Sequence, residues 1–283
     1  ILFLGFLTTL AFFLLRPPLT AIRLNNTQLF ILLSFFVIYM VIAIIVDRWK
    51  PADAWMPFAL FLPTALFTML VSVLINRRVA FYLTFFSAVS ILFITGLEAA
   101  SFLFVLFSGT SAVLLIKNAE KRIDLIRGIF LLSIVSGIIM MLIGFLKQIE
   151  PGVFPNAFGW GVLNGAACGI LNLGILPILE HLLNVPTRFR LFELSDTNAP
   201  VLKKMLTMAP GTYNHSINVA NMAEAACKEI GANHLLARVG AYYHDIGKID
   251  QAEYFIENQK ESNKLVDLKP SLSVADRKST RLN

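Results

Sequence analysis

Three residues in the last third of the chain have the types and order needed to hold a metal ion. His215 stands in the stretch YNHS, and His244 with Asp245 stands in AYYHDIGKI, residues 241–249. Neutral imidazole nitrogens and a carboxylate suit transition metals such as Mn or Fe, and a carboxylate between two metals can bridge them. The two cysteines, Cys168 in an apolar run and Cys227 in a polar one, have neither CxxC spacing nor a nearby partner. A structural zinc knuckle is therefore not expected, and both read as free thiols. Taken singly, each site residue has an ordinary reading: His244 as a helix-end histidine bonding a carbonyl, His215 as a capping residue, Asp245 as a solvated charge. In the order H…HDIGK on consecutive helices, with Gly247 and Lys248 following, they read as one site.

Two helices must bring these residues together. Thr212 is a plausible N-cap for YNHSINVANMAEAACKEI, whose apolar positions Ile217, Ala220, Ala223, Ala226 and Ile230 recur at helical spacing, with Gly231 as the stop. Asn233 starts a second helix through HLLARVGAYYHDI, stopped by Gly247. A short connection makes the pair antiparallel, so the first turn of one meets the end of the other, where His215, His244 and Asp245 converge. His234, near a helix start, is expected at the surface, outside the site. Upstream, LFELSDTNAPVLKKMLTMAPGTYNHS is polar and broken. There Ser195 and Asp196 can cap a short helix that Pro200 starts or interrupts, and Pro210-Gly211 breaks the chain before the next helix. Residues 184–211 are thus predicted to be a juxtamembrane coupler.

Everything before the coupler belongs to a different solvent. With 57% hydrophobic and 15% charged residues and a mean hydropathy of +0.71, the chain has the composition of a polytopic membrane protein. A bilayer core needs about 20 apolar residues of helix. Seven candidates fall at residues 1–15, 28–46, 55–75, 79–95, 97–116, 126–147 and 157–183. They are hydrophobic all round, and helix is required because backbone groups in lipid must be satisfied internally. The fourth and fifth form a tight hairpin about Gly96, with Glu98 at its turn placed for the interface. Pro186 ends the seventh, and His181 near that end reads as interfacial. The chain opens inside the apolar run ILFLGFLTTLAFFLL with no Met, basic n-region or cleavage site. It does not read as a signal peptide, and the start is expected to be internal to a longer protein.

The formal charge of +6 and pI near 9.4 do not imply a nucleic-acid partner, because the Lys and Arg residues sit mainly between apolar runs, where they set topology. Arg16, Arg23, Arg77, Arg78, Lys117, Lys121, Arg122 and Arg127 fall in one set of alternate loops. The other set holds Arg48, Lys50 and, at its edge, Lys147. The first set is predicted to be cytoplasmic, and the seventh helix then delivers the polar C-terminal part to the same side. The fold class expected is all-α: a polytopic membrane bundle over residues 1–183, then a cytoplasmic helical part.

The stretch YNHSINVANMAEAACKEIGANHLLARVGAYYHDIGKI, followed by EYFIENQ, resembles the HD hydrolase domain of the seven-transmembrane HD family, the PgpH-type cyclic di-AMP phosphodiesterases of bacteria. The membrane block, the ELSD segment and APGTYNHS fit the same family, so the resemblance runs to about residue 274. It implies that 212–274 is the N-terminal part of an HD phosphohydrolase domain. It further implies that His215, His244 and Asp245 are ligands of a dinuclear Mn or Fe centre with Asp245 bridging, and that Asp245 and Lys248 serve catalysis, Lys248 by holding a phosphate oxygen. The implied reaction is hydrolysis of cyclic di-AMP to pApA at the bacterial plasma membrane, with the membrane part relaying a signal. The lipid bilayer is the second partner, and a homo-oligomer is compatible with this reading.

The family pattern continues after KPSLSV with another metal histidine, a His-His pair and a final aspartate, whereas this sequence reads ADRKSTRLN, residues 275–283. That tail is read as altered or foreign sequence, the chain as truncated at both ends relative to the family, and the chain as written is expected to be inactive. A non-catalytic cyclic-nucleotide sensor with a degenerate HD domain is the alternative. A small transporter with a regulatory tail is disfavoured, since the membrane helices lack a clear array of buried charges.

Overall fold

The computed structural model describes residues 24–49, 57–117, 119 and 121–259, all helix and connection with no strand among them. The first predicted span, residues 1–15, and the tail, residues 275–283, lie outside the described residues. The chain divides into two compact units between Thr187 and Arg188.

The first unit holds α1 (Asn26–Trp49), α2 (Thr64–Leu74), α3 (Arg77–Ile94), α4 (Ala99–Leu115), α5 (Arg122–Leu146) and α6 (Phe154–Leu183). Four of these, α1, α3, α5 and α6, are long and apolar enough to cross a membrane, and α2 and α4 are shorter apolar helices. Its surface is inverted relative to a protein in water. Phe130, Phe145, Ile170, Ile178 and Leu182 are exposed, while Thr68, Thr84, Ser90, Ser101, Ser133 and Ser136 are buried. Thr68, Thr84, Ser90 and Ser133 return their hydroxyl protons to carbonyls one turn back, a way to bury a hydroxyl in a helix without a partner from another helix.

Small residues set the closest packing. Gly161, Gly165 and Gly169 of α6 recur every fourth residue against α5. A Cβ on Gly161 would stand 2.5 Å from the Ser136 carbonyl oxygen, and one on Gly165 2.8 Å from the Ser133 Cα. Helices in lipid gain little from hydrophobic exclusion, so such close backbone approach supplies much of their association.

The third predicted span, 55–75, is not one helix. A 3-10 turn, Phe58–Phe61, precedes α2, and Leu62 between them is extended at φ −88°, ψ 135°. Pro63 is the cause, because its ring disfavours helical geometry in the preceding residue and it has no N–H to donate. The carbonyls freed at Leu60 and Leu62 accept the Asn164 side-chain amide from α6 at 2.7 and 3.2 Å. Irregular backbone at this depth is tolerated where protein satisfies it. The hairpin about Gly96 is present, with Gly96 at φ +69° and the exposed Leu97 at φ +72°. Glu98 pairs with Lys147 at 2.6 Å, tying that turn to the end of α5. At the start of α5, Arg122 lies 3.6 Å from the buried Glu180, whose carboxylate also accepts the Thr187 hydroxyl.

The second unit holds α7 (Arg188–Leu194), α8 (Pro200–Met208), α9 (Pro210–Glu229) and α10 (His234–Tyr243), then 3-10 turns Ile246–Tyr254 and Ile256–Asn258. Leu202, Met205, Ala209, Ala220, Ala241, Tyr242 and Ile249 form its core. Pro200 starts α8 at the first helical position, while Asp196 caps a turn by accepting the Asn198 N–H at 2.9 Å rather than capping the helix. The break before α9 falls at Ala209 (φ −137°, ψ 63°), one residue earlier than Pro210-Gly211. Pro210 is already inside the helix, so Thr212 is not its N-cap. Proline fits a first helical position because the N–H there would be unpaired in any case. Gly231 ends α9 at φ +68°, and the Asn233 side chain caps α10 through the Leu236 N–H, both as predicted. The second helix stops at Tyr243, four residues before Gly247, and the HD pair stands at the junction of α-helix and 3-10 turn.

Candidate metal centre

The antiparallel pair α9 and α10 is locked at the end remote from His215 and His244. Glu224 takes Arg238 at 2.9 Å, Lys228 at 2.9 Å and His234 at 3.5 Å. The Lys228 hydrogen bond, and then the Arg238 and Lys228 charges, hold the Glu224 carboxyl below its usual range despite some burial. Arg238 also donates to the Tyr242 hydroxyl at 2.8 Å, joining this network to a buried ring. His234 is thus a surface partner of Glu224, outside the site. On the other side of α10, Tyr243 donates its hydroxyl to the Leu194 carbonyl at 3.0 Å, seating the helix on α7.

At the opposite end, His215 in the first turns of α9 faces His244, with ring centroids 5.6 Å apart. His215, His244 and Asp245 offer ligand atoms that all lie within 4.8 Å of one another, the group of this kind among the described residues. His244 Nε2 stands 3.3 Å from Asp245 Oδ2, a separation two atoms can have when each sits about 2.1 Å from a shared ion. His244 Nδ1 lies 2.8 Å from the Ala241 carbonyl oxygen. A carbonyl only accepts, so Nδ1 carries the proton and Nε2 keeps its lone pair for a metal. The carbonyl bond and the ligand role, which compete as readings of the sequence, coexist on the two nitrogens of one ring. The donor set is two imidazoles and a carboxylate without thiolate, and both histidines are exposed, leaving room for further ligands. These residues fit a divalent transition metal.

Lys248 stands beside them, its Nζ 2.7 Å from Asp245 Oδ2 and 2.9 Å from Glu257 Oε1. Burial pulls its pKa down, but the hydrogen bonds to Asp245 and Glu257 outweigh that and raise it, so Lys248 is cationic. Burial likewise pushes Glu257 up, but the hydrogen bond and charge of Lys248, with a backbone hydrogen bond and the Thr212 hydroxyl, together outweigh burial and hold the carboxyl below its usual range. Glu257, Asn258 and Thr212 are neighbours of the site that the sequence alone does not reveal. Their link to it passes through a 3-10 stretch kinked at Gln251 (φ −141°, ψ 51°), which no periodicity predicts.

Residues 1–187 match the family described as a 7TM receptor with intracellular HD hydrolase, and residues 212–275 match the HD domain. The chain belongs to the seven-transmembrane HD family. The cyclic-di-AMP phosphodiesterase PgpH of Listeria monocytogenes is 38% identical over 198 residues, covering 68% of this chain and 27% of the relative. The protein of the same name from Bacillus subtilis is 37% identical over 214 residues, covering 72% of this chain and 30% of the relative. The chain therefore spans less than a third of the length of these curated relatives. No solved structure matches it. Membership of the 7TM-HD family makes this a multi-pass membrane protein, in keeping with the apolar outer faces of α5 and α6. HD domains are metal-dependent hydrolases, and His215, His244 and Asp245 are placed so that they could hold a metal ion of the kind that activity needs.

Proposed function

We propose that this protein is a membrane-anchored, metal-dependent phosphodiesterase that hydrolyses cyclic di-AMP to the linear dinucleotide pApA. The convergence of His215, His244 and Asp245 at the ends of α9 and α10 remote from their connection carries the reading. The PgpH name of the relatives supplies the substrate. The chemistry adds one water across one phosphodiester, breaking a single P–O bond and opening the ring. Divalent metals, two ions of Mn or Fe, supply Lewis acidity toward the phosphate and activate water at neutral pH. The chain's residues would hold and orient these ions: His215 and His244 through imidazole nitrogens, and Asp245 through its carboxylate. Lys248 presents a positive charge to a phosphate oxygen. The testing experiment is incubation of the full-length protein, purified in detergent with Mn(II), with cyclic di-AMP. Formation of pApA is expected. Nucleotide binding without turnover would instead favour the non-catalytic sensor.

We further propose that the protein lies in a bacterial plasma membrane with residues 117–127 and 184–283 cytoplasmic and 47–54 and 148–156 outside. The alternation of Lys and Arg between loops motivates this orientation. Two contacts support the pairing of loops: Glu98 with Lys147 joins two connections of the outer set, and Arg122 with Glu180 joins two ends of the inner set. Single cysteines introduced at positions 120 and 150 are expected to label from opposite sides of intact cells. Labelling from one side would overturn the topology.

A further inference from the structure

Lys248 has a long flexible stem, and its usefulness to a phosphate depends on what holds the ammonium in place. Two carboxylates do so, Asp245 at 2.7 Å and Glu257 at 2.9 Å, with the Phe255 ring centroid 4.8 Å from Nζ. The Asp245 contact is made by Oδ2, the same oxygen that stands 3.3 Å from His244 Nε2. A metal held by His244 and Asp245 would draw on that carboxylate and weaken its pull on Lys248. Glu257 is then the remaining anion on the ammonium.

Glu257 is itself fixed. Its Oε1, the atom that receives Lys248, also accepts the Thr212 hydroxyl at 3.1 Å. Thr212 is fully buried. Its N–H donates to Asn258 Oδ1 at 3.1 Å, and its Oγ1 accepts the Asn258 side-chain amide at 2.8 Å. Thr212 lies three residues before His215, on the same side of α9. The turn Ile256–Asn258 thus binds the helix that carries one metal ligand and, through Glu257, the lysine three residues beyond another. An isolated surface ion pair is worth about 0–1 kcal/mol. This pair differs because its acceptor oxygen is shared with a buried threonine and both side chains are largely shielded, at 17% and 28% exposure.

We propose that Glu257 is the positioning residue that holds Lys248 in its phosphate-facing place, with Thr212 and Asn258 fixing Glu257 in turn. This rests on the phosphodiesterase reading of the site. The test is a double-mutant cycle between Glu257→Gln and Lys248→Gln in the full-length protein, with Mn(II) affinity measured in parallel by the EPR signal of free ion. Glu257→Gln is expected to lower kcat/KM for cyclic di-AMP about tenfold or more, mainly through KM, since it removes a charge-assisted hydrogen bond. Mn(II) affinity is expected to stay within about threefold of wild type, because no ligand atom is changed. Adding Glu257→Gln to Lys248→Gln is expected to cost little more, the non-additivity of two residues acting through one contact. Glu257→Asp, which keeps the charge and shortens the reach, should fall between wild type and Glu257→Gln, and it serves if the amide variant fails to fold. Wild-type kcat/KM in Glu257→Gln, additive losses, or a loss of Mn(II) affinity that parallels the loss of activity would overturn the proposal. A wild-type protein that does not hydrolyse cyclic di-AMP would overturn the phosphodiesterase reading instead.

Discussion

Asp245→Ala and His244→Ala are each expected to abolish the proposed Mn(II)-dependent hydrolysis of cyclic di-AMP and to weaken metal binding sharply. His244 Nε2 and Asp245 Oδ2 are 3.3 Å apart, so deleting either side chain removes one of two donors aimed at the same point. Outer partners of metal ligands alone carry about 10–100-fold in affinity or activity, and losing a ligand costs more than that. Asp245→Ala also strips Lys248 of one of its two carboxylates. His234→Ala is the internal control, since His234 pairs with Glu224 at 3.5 Å and lies outside the site. Mn(II) titration followed by EPR, alongside pApA formation, checks both. Variants at 244 and 245 that keep half of wild-type turnover would sink the assignment of these ligands.

Gly211→Val is expected to unfold or displace the site without touching a ligand. Gly211 sits in the first turn of α9 with helical geometry, so its need is space rather than an unusual φ. A Cβ there would stand 1.9 Å from the Glu257 carbonyl oxygen, 2.5 Å from the carbonyl carbon and 2.9 Å from Asn258 Oδ1. Backbone cannot yield as a side-chain tip can. The Ile256–Asn258 turn must move away, breaking the Thr212 bonds to Glu257 and Asn258. Overpacking of this kind costs about 1–3 kcal/mol, and the lost hydrogen bonds add about 1 kcal/mol each. Gly240→Ala is the contrast: nothing lies within 4 Å of its added Cβ, and in mid-helix the change is worth up to about 1 kcal/mol of stabilisation. Hydrogen exchange of α9 in detergent checks the pair, with faster exchange expected for Gly211→Val and slower for Gly240→Ala. Native protection in Gly211→Val would show that the turn accommodates the side chain.

Legibility in the sequence followed the range of each signal. The apolar runs that become α1, α3, α5 and α6 are read to within four residues at each end, because the solvent imposes both length and composition. The span over 55–75 was misread as continuous because hydropathy averages over Pro63, although proline is a local and visible breaker. The caps at Asn233 and Gly231 were legible because each acts on its own turn. Thr212 was misassigned for the complementary reason. Its type suits a cap, but its partners Glu257 and Asn258 lie 45 and 46 residues away.

By itself, then, the sequence determines an all-α membrane chain with a polar helical unit after it. It also names His215, His244 and Asp245, since periodicity, caps and residue chemistry are encoded within a few turns. Only the tertiary structure decides that His244 turns Nδ1 to the Ala241 carbonyl and leaves Nε2 to its neighbours. It alone decides that Asn164 closes the break at Leu62–Pro63, and that Lys248 is shared between Asp245 and Glu257. The physical reason is one of distance along the chain. A side chain's capacity to bond is a property of its type, whereas the partner it meets depends on which remote backbone approaches it, and that is set by packing at places such as Gly211 and Gly161 where a single added carbon would forbid the approach.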